Sequence, residues 1–212
     1  VEYVVDGSVR REGEQVRITA QLVDARRGYQ LWSQSFDGTL QEIFALQDDI
    51  ARSIVGELPA ALRQPGIQAV ESAAAPAPSV AAYELFLRGR YQLAIREEEH
   101  IRHAIGLFRQ AIEEDPSYAD AWVGLAKAQA LLPSYSNELP DEMYELALST
   151  LAAGAQQAPG VATRAQDVRA FIDYSRWQWL DAQRRFEAAL ASKPGDSDLL
   201  QWYSQFLSAV GR

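Results

Sequence analysis

The feature that most constrains this chain is a spaced set of small, large and proline residues that recurs in its C-terminal part. Ala104, Phe108, Ala111 and Pro116 form one copy, and Ala147, Leu151, Gly154 and Pro159 a second. Ala182, Phe186, Ala189 and Pro194 form a third. On a helix the small residue suits a close crossing, and the large apolar residue one turn on fills the next groove. Proline then stops the helix. Such units cannot bury their apolar faces alone, so copies in tandem predict a stack of helix pairs. The spacing sets repeats at about 82–118, 119–161 and 162–196, then a lone helix over 197–212.

The N-terminal part has a different period. Val16, Ile18, Ala20 and Leu22 alternate with Arg17, Thr19, Gln21 and Val23, the pattern of a half-buried strand. A strand from Tyr3 to Arg11 precedes it across a turn at Glu12-Gly13-Glu14. Arg26-Arg27-Gly28 turns the chain into a third strand, Tyr29 to Phe36. This predicts an antiparallel meander, with Asp6-Gly7 either a turn or, on the hairpin spacing, a bulge in the first strand. Thr39-Leu40-Gln41-Glu42 is a capping-box pattern that starts a helix. Its expected apolar stripe is Leu40, Ile43, Phe44, Ile50, Ile54, Leu58 and Leu62, interrupted by Gln47, with a kink or end at Pro59. The fold class expected is α+β: a meander with its helix (1–63), a Pro/Ala-rich linker (64–79) and an all-α array (80–212).

Several function classes fall away on composition. There is no cysteine, hence no disulfide, thiolate nucleophile or Cys-based zinc site. The net charge of −9 argues against a nucleic-acid groove, which needs clustered Lys and Arg. No stretch approaches the ~20 apolar residues of a membrane span. The opening Val1-Glu2-Tyr3-Val4-Val5 lacks the features of a signal peptide, and without an initiator Met the chain is expected to be a piece of a longer protein. The cytoplasm is the expected compartment, with the periplasm left open.

Chemistry-bearing clusters are sparse. His100 and His103 beside Glu97-Glu98-Glu99 have helical spacing for a metal site, but a solvated helix end is the favoured reading. Glu113-Glu114-Asp115 and Asp48-Asp49 read as exposed acidic residues rather than an acid–base pair. No phosphate loop or nucleophile motif occurs. Catalytic, cofactor and metal residues are therefore expected to be none. Of Trp177 and Trp179, one is expected to pack and the other to be exposed.

The three copies, together with Trp122-x2-Leu125-Ala126 in a first helix, resemble the tetratricopeptide repeat. Trp122 falls on a position that packs within the repeat in that family, which implies a place in the core. The first two copies exceed that repeat's length of about 34 residues, with the extra turn residues placed at Arg96–Ile101 and Pro133–Asp141. The N-terminal strings Tyr3–Arg11, Val16–Asp24, Leu31-Trp32-Ser33 and Ile43–Ala51 resemble the later part of the TolB amino-terminal-like module of bacterial signalling proteins. In that family the module often precedes tetratricopeptide repeats, and both trail a class III adenylate or guanylate cyclase domain. Related chains carry a winged-helix DNA-binding domain or a kinase instead.

The resemblance implies a concave groove lined by first helices. Carried onto this sequence, its groove positions are Tyr83, Phe86 and Arg90, then Val123 and Lys127, then Gln166 and Asp173, then Gln201 and Gln205. The two-Asn carboxylate clamp of chaperone-binding members cannot be built, because Asn137 is the single asparagine. The function expected is a non-enzymatic interaction or regulatory segment that binds a protein or peptide, or a second copy of itself. A structural spacer, an oligomeriser and the regulatory part of a winged-helix regulator are the alternatives.

Overall fold

The structure is a computed structural model that describes residues 2–57 and 78–211. The architecture is α+β, a three-stranded antiparallel sheet followed by a helical array. The chain divides into two compact units, Val1–Ala77 and Pro78–Arg212.

In the first unit, β1 (Tyr3–Glu12), β2 (Gln15–Asp24) and β3 (Tyr29–Thr39) form a meander in that order. Gly13 takes the left-handed conformation that the tight first turn requires (φ +62°). The expected bulge at Asp6-Gly7 is not there: β1 pairs with β2 in unbroken register, with Gly7 opposite Ala20. A Cβ on Gly7 would lie 2.5 Å from the Thr19 carbonyl oxygen, so glycine answers a close approach between strands rather than an extra residue. The irregularity lies in β3, where Leu22 pairs with Trp32 but Val23 with Gln30.

Helix α1 (Ile43–Glu57) follows a 3-10 turn over Leu40–Glu42. Glu42 Oε2 accepts from the Thr39 backbone N–H at 3.1 Å and from its hydroxyl at 2.9 Å. The stripe differs from expectation. Leu46 is the buried residue of α1, flanked by Ile43 and Ile50 at i, i+3, i+7 spacing, and Gln47 is exposed. This face covers Ala20 and Phe36 of the sheet. Leu58, Pro59, Leu62 and the linker expected over 64–79 lie outside the described residues, apart from Pro78 and Ser79.

The second unit is built of helix pairs. Helices α2 (Val80–Ile95) and α3 (Glu98–Glu114) pack together, as do α4 (Ala119–Leu131) and α5 (Pro140–Gln157). A single turn, α6 (Val161–Arg164), leads into α7 (Gln166–Ser175), which pairs with α8 (Trp179–Ser192). Helix α9 (Ser197–Ala209) then packs on α8 and α7. The extra length expected as turn at Arg96–Ile101 is mostly helix, since only Arg96 and Glu97 separate α2 from α3. Pro140 starts a helix rather than stopping one, at a first-turn position where its missing N–H costs nothing.

The crossings explain the recurring residues. Ala104, Ala111, Ala147 and Ala182 are fully buried, and Ala189 nearly so. The Phe108 ring is wedged between two glycines of neighbouring helices. A Cβ on Gly89 would lie 2.7 Å from Phe108 Cε1, and one on Gly124 2.8 Å from it. Gly154 does the same for Trp122, whose ring carbons would lie 2.7 Å from an added Cβ. Trp122 packs against the core and donates its indole N–H to the Pro116 carbonyl at 2.9 Å. Trp179 packs on Tyr174 and Phe206, while Trp177 is 75% exposed.

Candidate functional site

Five helices contribute to one cleft of about 510 Å³ in the second unit. Phe86 and Arg90 come from α2, Phe108 from α3, Val123 and Lys127 from α4, Asp167 from α7 and Gln201 from α9. Five of the expected groove positions, Phe86, Arg90, Val123, Lys127 and Gln201, thus meet in one place.

The other four do not line this cleft. Tyr83 packs beside Ala82, Ala111, Tyr118 and Ala121. Asp173 accepts from Arg185 Nε at 2.7 Å, and Gln166 Oε1 accepts from the same guanidinium at 3.5 Å, so these two form a separate α7–α8 cluster. Gln205 is exposed on α9.

Lys127 is held by acidic side chains of the cleft. Its Nζ lies 2.8 Å from Asp198 Oδ2, 3.8 Å from Asp167 Oδ2 and 4.7 Å from the Trp202 ring centroid. Asp198 is shared with Arg96, whose Nη2 donates to Oδ1 at 2.7 Å. Burial pushes the Asp198 carboxyl up, but Lys127 and Arg96 outweigh it and hold the group below the usual carboxylate range. Asp196 caps α9 by accepting the Leu199 N–H at 3.0 Å. Asp120 pairs with Arg164 at 2.7 Å. Burial, then the Asp120 charge, pushes the Tyr118 phenol well above its ordinary value.

Two charged groups of the cleft are left over. The Arg90 guanidinium lies 5.8 Å from the Phe86 ring centroid and has no ion pair among the described residues. Asp167 is only 3% exposed, yet its Oδ1 has no hydrogen-bond partner among the described residues. Lys193 Nζ lies 4.0 Å from that oxygen and itself donates to the Arg164 carbonyl at 2.9 Å.

Arg96, Asp167 and Asp198 are the residues that reading the sequence missed. Asp196-Ser197-Asp198 after Pro194 does carry a helix-start signal. Nothing in the spacing links Asp198 to Arg96.

The other clusters have structural partners. His100 Nδ1 is 2.6 Å from Gln92 Oε1, and His103 is exposed. Among the described residues no three His, Asp or Glu gather as metal ligands. Asp115 accepts from the Ser117 N–H at 3.0 Å and the Ser79 N–H at 3.1 Å, closing a turn onto the start of α2. No described helix is long and apolar enough to cross a membrane.

No protein-family model matches the chain. Among curated proteins it is similar to one named "Putative adenylate cyclase 3" of Rhizobium meliloti (strain 1021), 34% identical over 126 residues. The aligned stretch is 59% of this chain and 21% of that protein, so the chain spans about a fifth of its relative's length.

Proposed function

We propose that this chain is a non-enzymatic interaction and regulatory segment of a bacterial signalling protein, attached to an adenylate or guanylate cyclase. The observation that carries the reading is the convergence of Phe86, Arg90, Val123, Lys127 and Gln201 on one cleft formed by first helices. The similarity to part of a protein named as a cyclase supports the cyclase association. The paired helices and their Ala, Gly and Phe crossings support a tetratricopeptide array, and the meander with α1 supports a TolB-like module before it. In this reading the cleft holds a protein or peptide partner in the cytoplasm. The ion pairs at Asp198 and Asp120 keep the wall rigid rather than performing acid–base work.

The test is a pull-down with wild-type and Arg90→Glu chains, with light scattering on each alone. Arg90 is exposed, so the variant should melt as the wild type does. A partner retained by the wild type and lost by the variant is the expected result. Equal recovery would remove the cleft as the functional surface.

Self-association is a second reading, favoured by β1. Val4, Val5 and Val9 are 43%, 51% and 67% exposed on a strand at the sheet edge. Such an edge is a template for pairing with another chain.

A further inference from the structure

We propose that the cleft takes a compact zwitterion, an α-amino acid or dipeptide, with its ammonium on Asp167 and its carboxylate on Arg90. This rests on the reading of the cleft as a binding surface and names the chemistry it would recognise.

The argument begins with Asp167. A buried carboxylate oxygen without a hydrogen bond is costly. Here Lys127 and Lys193 stand 3.8 and 4.0 Å from the carboxylate, close enough to attract it but too far to bond it. Both lysines are already committed, one to Asp198 and the other to the Arg164 carbonyl. Their loose hold leaves Asp167 able to take a charge-assisted donor. Oδ1 itself is buried, so a ligand would reach it only if the carboxylate turned about its Cβ–Cγ bond.

Arg90 is the opposite case, a guanidinium with five donors, a ring beneath it and no acceptor among the described residues. Its fork suits a carboxylate, which it can hold with two parallel hydrogen bonds. The remaining charges of the wall are engaged by one another, by Arg164 or by the N-terminus of α9. The wall therefore keeps one carboxylate and one guanidinium without a hydrogen-bonded partner among the described residues.

The balance of the wall points the same way. Its cations and carboxylates are equal in number, so a neutral ligand carrying both charges leaves the balance intact. The Phe86, Leu93 and Val123 side chains offer an apolar wall for an aliphatic side chain. A volume of about 510 Å³ lies in the range of small-molecule sites. The Arg96–Asp198 pair ties the α2–α3 corner to α9 and so limits how long a ligand can be.

The experiment titrates the chain by calorimetry with leucyl-leucine, free leucine, N-acetyl-leucyl-leucine and leucyl-leucine amide. The expected result is saturable binding of the free dipeptide or of leucine, weakened about tenfold or more by blocking either end. Asp167→Asn and Arg90→Gln should each weaken binding by a similar factor, and Arg90→Gln, at an exposed position, keeps the fold. Equal binding of the N-acetylated form overturns the proposal, as does no binding of leucine or the dipeptide into the millimolar range. If neither binds while partner capture still depends on Arg90, the zwitterion site fails and the protein-binding reading stands. If the dipeptide binds but Arg90→Glu leaves partner capture unaltered, the reverse holds.

Discussion

Arg96 Nη2 and Asp198 Oδ1 meet at 2.7 Å although 102 residues separate them. The bond joins the corner after the first helix of the array to the start of its last. Arg96 has a left-handed backbone there (φ 62°, ψ 39°), a conformation that costs an L-residue about 1–2 kcal/mol and usually falls to glycine. An arginine at this corner, with its side chain on a helix three units away, is a trade of local strain for a long-range contact.

The pair should therefore show measurable coupling. In a double-mutant cycle with Arg96→Ala and Asp198→Ala, urea unfolding should give a coupling energy of roughly 0.5–1 kcal/mol, because both groups are partly solvated. Arg96→Gly should cost less than Arg96→Ala, since glycine takes the left-handed turn freely. Additive single-mutant effects would mean that the bridge contributes nothing in solution.

Acid should weaken the same corner. The folded-state pKa of Asp198 lies below its unfolded value, so its contribution is present above about pH 4 and lost as pH falls through the folded value. Melting temperatures from pH 7 down to pH 2 should show Asp198→Asn less stable than wild type near neutrality. The two curves should approach each other below pH 4. A constant gap across that range would contradict the assignment.

The Phe108 wedge predicts opposite signs for similar substitutions. Gly89→Ala and Gly124→Ala push a methyl group into the ring and should each cost about 1–3 kcal/mol. Gly106→Ala, in the same region of α3 but facing open space, should stabilise by up to ~1 kcal/mol. Ala182→Leu overpacks a fully buried crossing and should also cost about 1–3 kcal/mol. Thermal or urea unfolding of the four variants checks the set.

Trp177 should behave as a surface reporter. It is 75% exposed and left-handed (φ 63°), stacked edge-on against Trp179 at 5.2 Å. Trp177→Phe should remove most of the fluorescence that iodide quenches, while leaving the emission of the buried Trp202. Unchanged quenching would place Trp177 against a partner or a second copy.

The elements and the small contacts between adjacent ones were legible in the linear pattern. Period-two alternation in β2, the Thr39–Glu42 helix start and the Ala, Phe and Pro spacing of α3, α5 and α8 each depend on neighbours within a turn or a hairpin. Those are local properties that a linear pattern records. The same locality misled at Gly7, at Arg96–Ile101 and along α1. There the deciding contact was the Thr19 carbonyl across the sheet, or a helix that could simply continue, or Leu46 facing the sheet in place of Gln47. The pairing of charges in the cleft came instead from the way the helices stack. The position of Lys127 on a first helix was legible in the sequence. Its capture by Asp198, the bridge from Arg96 and the unbonded oxygen of Asp167 were not. Ion pairs between groups tens of residues apart depend on how helices stack, and side-chain pairs at such separations leave no periodic trace in the chain.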